Sequence, residues 1–352
     1  MDACPLPPQK VSENMSSQEN LRLLVAIPCL NEAATIRALV EDIPRVIQGI
    51  TLVDILVVDD GSTDQTANEA KAGGAIVVSH RFNRGVGTAF QSAVAYAVDK
   101  RYDVMVNIDG DRQFNPHDIP KLIAPILAGQ ADMVTASRFV DPSLTPAMPK
   151  VKLVGNHMMS FLISRLVGRK YSDVSCGFRC YDRESLLRLN LHGAFTYTQE
   201  TFLEFAAKRI EIKEIPIEVV YFPDRQSRVA GSIVRYALNT AKIIFRGYRD
   251  YYPLRFFWGL SAFFALPSLL LAILFFSHYW LTGMFSGYLY AGFSSAFLLL
   301  IAMVFFVLGI VMDMLDRMRS NQDKILYLLK KIPTTLDNSN KLFLQMKEHD
   351  SD

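Results

Sequence analysis

The sequence has few cysteines and almost no excess of charge of either sign. Only 4 of its 352 residues are cysteine, and the formal net charge is +2. So few cysteines do not suggest a disulfide framework, and Cys176 and Cys180 lack the matching His or Cys pair of a zinc site. A balanced charge gives no general attraction to nucleic acid. We therefore expect reduced cytosolic thiols and no nucleic-acid partner.

The sequence also lacks the motifs of the common nucleotide-binding folds. No GxxxxGK[ST] loop is present, and Phe90 stands where the third glycine of a GxGxxG motif is needed. Residues 1–20 are polar, without the basic start and apolar run of a signal peptide. We expect neither a kinase nor a dehydrogenase, a disordered tail over 1–20, and a catalytic domain that stays on the cytoplasmic side.

Short apolar runs alternate with helix-like segments from residue 21 onward. The apolar runs are Leu21–Ile27, Val53–Val58, Ala75–Val78, Val104–Ile108 and Met133–Ala136. The helix-like segments span residues 32–48, 64–72, 87–100 and 117–128. This alternation predicts an α/β domain with a mostly parallel sheet covered by helices on both faces. Such sheets bind ligands beyond the carboxyl ends of their strands, so the site is expected there.

Two long uncharged runs predict a pair of transmembrane helices within residues 253–313. Phe256–Leu281 has 26 residues and Tyr288–Met312 has 25, whereas about 20 suffice to cross a bilayer core. The connection between them, Thr282–Gly287, has no Lys or Arg. Arginines flank the pair on its outer sides: Arg246, Arg249, Arg255, Arg317 and Arg319. By the positive-inside rule we expect a hairpin with both termini in the cytoplasm and a cytoplasmic helix or tail over 314–352.

The segment 233–252 combines helical apolar spacing with a basic stripe. Arg235, Lys242, Arg246 and Arg249 follow one another seven, four and three residues apart. This pattern predicts an amphipathic helix in the membrane interface, whose stripe binds anionic headgroups or the phosphate of a lipid substrate. An ordinary amphipathic helix packed on its own domain has the same pattern, and the sequence leaves this alternative open.

Two acidic clusters stand at predicted strand ends. In the first, Asp59 and Asp60 precede Gly61, which permits a sharp turn. These carboxylates could accept hydrogen bonds from a base and a ribose, or merely cap the next helix. In the second, Asp109 and Asp111 flank a glycine. Two carboxylates so close repel each other unless a cation is near, and Mg²⁺ or Mn²⁺ suits such oxygen ligands. A metal-free loop with a solvated acid pair is the alternative.

These motifs, taken together, resemble glycosyltransferase family 2 with its GT-A fold. The segment VAIPCLNE at 25–32 is followed by DDGSTD at 59–64 and DGDRQ at 109–113. The chain looks most like the membrane-anchored polyprenyl-phosphate and dolichyl-phosphate sugar transferases, over about residues 21–250. The resemblance therefore implies a GT-A catalytic domain at 21–232 followed by the interfacial helix and the hairpin.

The resemblance implies residue roles on the donor side of the site. Asp111 and Gln113 would hold Mg²⁺ or Mn²⁺, and Asp109 would contact the metal or the donor's sugar or ribose. The donor would be a UDP-sugar or a GDP-sugar. The residues expected to bind it are Pro28, Asn31, Glu32, Asp59, Asp60, Arg84 and Asp109.

Softer matches imply further roles on both the donor side and the acceptor side. SRF at 137–139 resembles a strand-end arginine that family members aim at phosphates, and DVSCGFR at 173–179 resembles an acceptor-side loop. RVAGS at 228–232 resembles the segment that closes over the donor diphosphate, although Ile233 replaces the usual lysine. The residues expected to be catalytic are Asp111, Arg138, Arg228 and Asp173. Those expected to bind the acceptor are Arg179, Arg235, Lys242 and Arg246.

The resemblance implies inverting transfer of a sugar to a polyprenyl phosphate in the plasma or inner membrane. The acceptor phosphate, with a second pKa near 6, is largely dianionic and needs little help from a general base. A hydroxyl acceptor such as diacylglycerol, ceramide or a lipid-linked oligosaccharide would need one, and Asp173 or Glu200 could serve. A non-catalytic nucleotide-sugar-binding membrane partner is a further alternative. A homo-oligomer is compatible with the sequence, which leaves the sugar and the base open.

Overall fold

A seven-stranded, mostly parallel sheet forms the centre of the N-terminal domain. The computed structural model describes residues 20–146, 148, 150–191, 197–220, 245–246, 248–249 and 252–332. The strands are β1 Arg22–Cys29, β2 Leu52–Asp59, β3 Ile76–Ser79, β4 Val104–Asn107, β5 Met133–Ser137, β6 Arg179–Asp182 and β7 Ile212–Pro216. Their order is β3-β2-β1-β4-β6-β5-β7, and β6 alone runs antiparallel to its neighbours.

Helices cover both faces of the sheet. They are α1 Ile36–Asp42, α2 Thr66–Ala72, α3 Val86–Asp99, α4 Ile119–Leu127, α5 Lys150–Val167, α6 Arg183–Arg188 and α7 Tyr197–Ala207. Because successive side chains of a strand point to opposite faces, β1 contributes to two cores. Leu23 and Val25 lie in one core, and Leu24 and Ala26 lie in the other. The predicted α/β sheet covered on both faces is confirmed.

The predicted helix over residues 32–48 is too long. Residues 32–35 form turns, and α1 ends at Asp42. Ile43 is extended, with φ −68° and ψ 126°, because the ring of Pro44 disfavours the helical conformation for the residue before it. The shortened helix leaves the segment after β1 free to form the loop that lines the site.

Two long apolar helices follow the sheet domain. Helix α8 spans Pro253–Thr282 and helix α9 spans Leu289–Lys331; both are long and apolar enough to cross a membrane. They pack against each other through reciprocal hydrogen bonds, from the Ser268 hydroxyl to the Ser295 carbonyl at 2.8 Å and from the Ser295 hydroxyl to the Ser268 carbonyl at 2.9 Å. Small residues let the two backbones approach closely, as in known membrane helix pairs. The candidate hairpin predicted from the uncharged runs is present.

Helix α9 continues well past residue 312, where the second uncharged run ends, and its last turns contact the sheet domain. The Asp323 carboxylate accepts from the Asn190 side-chain amide at 3.0 Å and lies 3.1 Å from the Lys208 ammonium. Lys330 donates to the Leu189 carbonyl at 2.9 Å. The extension of α9 thus connects the second apolar helix directly to the domain that carries the site.

Candidate active site

The loops after β1 and β2 are joined to each other at the carboxyl edge of the sheet. Cys29 at the end of β1 lies in register with Asp59 at the end of β2. The Asn31 N–H donates to the Ser62 hydroxyl at 2.8 Å, and the Asn31 side-chain oxygen accepts from the Thr63 N–H at 2.8 Å. Asn31 has a φ of 54°, a left-handed conformation that asparagine tolerates better than most residues. These bonds fix the shape of one wall of the site.

Glu32 connects this wall to the loop that follows β4. Its N–H donates to the Thr66 hydroxyl at 2.8 Å, and its carboxylate accepts from the Thr35 hydroxyl at 3.2 Å. The same Thr35 hydroxyl lies 3.0 Å from the Gly110 carbonyl, beyond the end of β4. Pro28 is buried within β1 beside these loops. Glu32 therefore lies between the loop after β2 and the loop after β4; its role in binding the donor stays a prediction.

Asp60 organises the loop that carries Arg84. Its buried carboxylate accepts from the N–H groups of Arg84 at 3.0 Å and Gly85 at 2.8 Å, and it lies 2.7 Å from Nδ1 of His80. The neighbouring Asp59 accepts from the Ser62 N–H at 3.0 Å. Both carboxylates are thus engaged with the chain itself in this structure. Their visible role is to hold the β2 turn and the 80–85 loop at the site.

Asp109 lies just beyond β4, and its carboxylate is close to Gly177 in the 173–179 loop. A residue with a Cβ atom at position 177 would collide with this carboxylate. A Cβ atom on Gly177 would lie 2.8 and 2.9 Å from the two Asp109 carboxylate oxygens. Burial first, and then the charge of Asp111, raise the pKa of Asp109 to about 7, while Arg138 and Arg179 oppose the rise. The Asn107 amide below it donates to the Gly177 carbonyl at 2.9 Å. The second acidic motif and the 173–179 loop therefore form one unit.

Asp111 and Gln113 follow at the mouth of the same loop. The Asp111 carboxylate accepts from the Gln113 N–H at 3.1 Å, and both side chains are partly exposed. No three His, Cys, Asp or Glu side chains converge as a metal site among the residues that the structure describes. Burial first, and then the charge of Asp111, disfavours the ionised form of Asp109, and a divalent cation beside the two carboxylates would favour it. The oxygen donors fit Mg²⁺ or Mn²⁺ shared with a substrate's phosphates.

Arg138 and Asp173 form a buried ion pair next to Asp109. Nε of Arg138 lies 2.6 Å from Oδ2 of Asp173, Nη2 lies 2.8 Å from Oδ1, and Nη2 also donates to the Ser175 hydroxyl at 2.7 Å. Burial acts to raise the pKa of Asp173, but the charge and hydrogen bonds of Arg138 outweigh it and hold that pKa below its ordinary value. Asp173, one of the two bases suggested for the alternative of a hydroxyl acceptor, is therefore a counter-ion of Arg138 in this structure, and its catalytic role stays a prediction.

Arg179 does not lie where the acceptor-binding expectation requires. Its side chain is fully buried, and its guanidinium donates to the carbonyls of Cys176 at 2.8 Å, Thr198 at 2.9 Å and Val174 at 3.1 Å. The guanidinium carbon also lies 5.0 Å from the centre of the Phe202 ring. A guanidinium with these partners cannot reach an acceptor phosphate at the surface. The structure corrects its role to that of a positioning residue, which holds the 174–178 loop against α7.

A cleft of about 1000 Å³ opens between the loops after β1 and β4. Its third side is the segment after β7, where the Val220 N–H donates to the Gln113 carbonyl at 3.0 Å and Val219 pairs with Phe114. The residues that line it include Asn31, Glu32, Asp64, Asp111, Gln113 and Val220. The cleft therefore brings Asp64 of the 59–64 motif and Asp111 of the second acidic motif to one opening, whereas Asp59, Asp60 and Asp109 do not line it.

Several expected site residues lie outside the part of the chain that the structure describes. Arg228, Arg235 and Lys242 are among them, with most of the predicted interfacial helix. Arg246 is described, in helical conformation and exposed to solvent. Their roles remain predictions.

Sequence reasoning missed the groups that hold the acidic motifs in place. Asn107, Tyr197 and His80 were given no role, yet the Asn107 amide lies 3.3 Å from the Tyr197 hydroxyl beneath Asp109. His80 joins Asp60 to the Ser92 hydroxyl, 2.9 Å from its Nε2. Gly177 lies within the DVSCGFR motif at 173–179, and this motif was the sequence signal that pointed to it. His80 is only four residues from Arg84, but nothing in the sequence pointed to a contact with Asp60, and Tyr197 is distant from any motif.

Comparison with known proteins places the chain in a family. Residues 24–189 match the family described as glycosyl transferase family 2. A UDP-N-acetylglucosamine–dolichyl-phosphate N-acetylglucosaminyltransferase of Methanococcus voltae is 30% identical over 56% of this chain and 86% of its own length. A polyprenol monophosphomannose synthase of Mycolicibacterium smegmatis is 30% identical over 62% of this chain and 84% of its own length. The chain therefore belongs to glycosyltransferase family 2.

Two further comparisons agree with this assignment. An undecaprenyl-phosphate mannosyltransferase of Micrococcus luteus is 28% identical over 61% of this chain and 90% of its own length. A solved structure of glucosyl-3-phosphoglycerate synthase from Mycobacterium tuberculosis superposes on this chain with a TM-score of 0.50 at 25% identity. The match covers 64% of this chain and 80% of that one, and that enzyme was crystallised with Mn²⁺, UDP and glucosyl-3-phosphoglycerate. The protein is thus a glycosyltransferase with a GT-A-like fold, and the three relatives named above are polyprenyl-phosphate sugar transferases.

Proposed function

We propose that the protein transfers a sugar, with inversion at the anomeric carbon, from a UDP-sugar or GDP-sugar to a polyprenyl phosphate. The bond from the anomeric carbon to the donor diphosphate breaks, a bond to an acceptor phosphate oxygen forms, and the nucleoside diphosphate leaves. The acidic motifs in one cleft, the two candidate membrane helices and the names of three relatives support this reaction.

The buried Arg138–Asp173 pair is the observation that carries the proposal. Asp173 is the loop carboxylate expected to activate a hydroxyl acceptor, and it is bound by two hydrogen bonds to Arg138 with its pKa held low. A phosphate monoester is already dianionic near neutral pH and attacks without losing a proton. The pair instead fixes a guanidinium beside Asp109, where it favours the negative charge of phosphates in the transition state. The commitment of Asp173 to Arg138 thus supports a phosphate acceptor; Glu200, the other base suggested for a hydroxyl acceptor, lies in the first turn of α7.

Asp111, Gln113 and Asp109 would hold Mg²⁺ or Mn²⁺ together with the donor's phosphates. Such a cation, when bound, neutralises charge on the departing diphosphate. The chain's own part is to fix these ligands: Gly177 leaves room for Asp109, and Asp111 is oriented by the Gln113 N–H. The walls built by Asn31, Glu32 and Asp60 would bind the nucleoside, because they line or support the same cleft.

Helices α8 and α9 would hold the enzyme in the plasma or inner membrane, with the catalytic domain and both termini on the cytoplasmic face. The arginines at the outer ends of the two apolar runs support this orientation by the positive-inside rule. A long isoprenoid acceptor stays in the bilayer, so anchoring raises the concentration of its phosphate at the site. The basic residues Arg235, Lys242 and Arg246 would attract that headgroup.

The test is an assay of purified full-length protein in lipid nanodiscs with undecaprenyl phosphate, Mn²⁺ or Mg²⁺ and a panel of UDP- and GDP-sugars. Glycolipid is detected by mass spectrometry. We expect one sugar-phosphate-lipid product, lost with EDTA and reduced roughly 100-fold or more in Asp111→Asn. Asp99→Asn, an exposed carboxylate at the end of α3 that pairs with Lys100, is the matched control and should leave the product unchanged.

Two outcomes would overturn the proposal. Product with diacylglycerol or ceramide, and none with the lipid phosphate, would identify a hydroxyl acceptor. Binding of a nucleotide-sugar without product from any acceptor would identify a non-catalytic partner.

A further inference from the structure

His80 lies between two polar side chains and contacts both of them. Its Nδ1 is 2.7 Å from Oδ1 of Asp60, and its Nε2 is 2.9 Å from the Ser92 hydroxyl. The imidazole and the Asp60 carboxylate are only 8% and 4% exposed, so water competes little for the bond between them. Because the three residues come from the ends of β2 and β3 and from α3, this hydrogen-bonded chain connects three elements behind the 80–85 loop.

The two partners of His80 decide which ring nitrogen carries the hydrogen. The Asp60 carboxylate can only accept, so the hydrogen is on Nδ1 and is donated to Asp60. In the neutral ring Nε2 is then an acceptor, and the Ser92 hydroxyl donates to it. Ser92 therefore selects the tautomer that His80 needs in order to hold Asp60.

The backbone of His80 is fixed independently of its ring. Its N–H donates to the Asp59 carbonyl at 2.8 Å, directly after the paired ends of β2 and β3. The ring therefore reaches Asp60 from a fixed point at the edge of the sheet, and the bond from Ser92 limits its rotation.

Asp60 passes this constraint to the loop that carries Arg84. Its carboxylate also accepts from two successive backbone N–H groups, those of Arg84 at 3.0 Å and Gly85 at 2.8 Å. Hydrogen bonds to an ionised carboxylate are short and strong, so the three donors are held in one arrangement. The same loop lies against the β2 turn, because a Cβ atom on Gly61 would lie 2.5 Å from the Phe82 carbonyl carbon. The exposed Arg84 side chain is thus held beside the β2 turn.

We propose that His80 is a positioning residue for the nucleotide of the donor. It keeps the Asp60 carboxylate oriented, and Asp60 keeps Arg84 and Gly85 in place on the donor side. This role rests on the proposed function, in which the wall around Asp60 binds the nucleoside, and it adds a residue that does not itself line the cleft. Because His80 acts through Asp60, its loss weakens binding of the nucleotide rather than slowing the transfer of the sugar.

The test compares two amides at position 80 in the full-length protein in nanodiscs. In His80→Asn the side-chain N–H takes the place of Nδ1–H and still donates to Asp60, whereas in His80→Gln the amide lies one bond further out, at the place of Nε2. Isothermal titration calorimetry with UDP and with GDP, each with Mn²⁺, gives the nucleotide Kd without any lipid acceptor. Initial rates give the donor KM and kcat, and thermal unfolding midpoints are measured for every variant.

We expect His80→Gln to raise the nucleotide Kd and the donor KM about 10-fold, with kcat within about 2-fold of the wild type, because a buried hydrogen bond to a charged group is lost. His80→Asn keeps that bond, so its Kd should stay within about 2-fold of the wild type. Ser92→Ala should fall between the two, since Nδ1 still donates but the tautomer is no longer selected.

Two results would overturn the proposal. A wild-type Kd in His80→Gln would show that the ring does not position the nucleotide. Equal losses of affinity in His80→Asn and His80→Gln, with lowered unfolding midpoints in both, would show that the ring only stabilises the fold. A wild-type protein that binds neither UDP nor GDP would instead overturn the proposed function, and the role of His80 with it, so the two failures are distinguishable.

Discussion

Arg138 and Asp173 form a two-point ion pair, with Nε 2.6 Å from Oδ2 and Nη2 2.8 Å from Oδ1, and both side chains are almost fully buried. Arg138 follows the end of β5, and Asp173 lies in a loop 35 residues further along the chain; the two meet next to the second acidic motif. Such a pair adds little net stability compared with an apolar isostere, but removal of one partner leaves a buried charge without compensation. Its value lies in fixing one guanidinium at the site.

Asp173→Asn is expected to lower both stability and activity. The change leaves Arg138 buried without its counter-ion, at a cost of about 3 kcal/mol.

Because the pKa of Asp173 is held below its ordinary value, the contribution of Asp173 to stability is fully present above about pH 4 and is lost only as pH falls through that lowered pKa. Wild-type stability from pH 5 to 8 should therefore show no change due to this group, as measured by the thermal unfolding midpoint. In the double variant Arg138→Gln/Asp173→Asn, the thermal unfolding midpoint should fall by less than the sum of the decreases in the two single variants. A normal midpoint in Asp173→Asn, with loss of a limb in the pH–rate profile, would restore the general-base role.

Gly177→Ala is expected to reduce activity strongly with a smaller effect on folding. Its Cβ would lie under 3 Å from the Asp109 carboxylate, so the carboxylate must shift from its place beside Asp111. A displacement of about 1 Å at a reacting centre can cost on the order of 100-fold in rate. Initial rates in the nanodisc assay measure the effect. Gly259→Ala, where no atom lies within 4 Å of an added Cβ, is the control and should keep the wild-type rate. Equal activity in the two variants would show that Asp109 is not held in place by this contact.

Asp323→Ala is expected to loosen α9 from the sheet domain. The change removes the partner of the Asn190 amide and of the Lys208 ammonium, a loss of about 1–2 kcal/mol. Hydrogen exchange over residues 316–331 should accelerate. Asp313→Ala, which removes a bond to Arg317 within α9, is the control and should leave exchange at 184–208 unchanged. Unaltered exchange in Asp323→Ala would mean that α9 is held by its other contacts.

Asp182→Asn is expected to raise stability at neutral pH and to flatten its pH dependence. Burial, followed by the charges of Asp132 and Glu184, raises the pKa of Asp182 to about 6 although Ser185 donates to it. The folded protein therefore binds a proton more tightly than the unfolded chain, and stability falls as pH rises from about 4 to 6. Asparagine keeps an acceptor for the Ser185 N–H at the start of α6 and carries no charge, so a gain of order 1–2 kcal/mol is expected at pH 7. Thermal midpoints of both proteins from pH 4 to 8 test this, and parallel curves would contradict it.

The sequence predicted strands β1 to β5 but not β6 and β7. β1, β2 and β4 are mostly apolar, because both of their faces are largely buried. β6 has the sequence RCYD, with a charged residue at each end, and it forms by pairing with β4 and β5 on both sides. No local pattern marks such a strand, since the partners that satisfy it lie about 75 and 45 residues away in the chain.

The amino-acid sequence by itself determined the class of fold, the two apolar helices and the position of the acidic motifs at strand ends, because hydrophobic periodicity and turn residues act over a few neighbouring positions. Only the tertiary structure decided what each polar group does. Arg179 was expected at the acceptor and lies in the core, because carbonyls of Val174, Cys176 and Thr198 surround it. Asp173 was suggested as a base only for a hydroxyl acceptor and is a counter-ion, since Arg138 meets it across 35 residues. Such partners are brought together by folding, and the free energy of a buried charge depends on them rather than on the residue's own type.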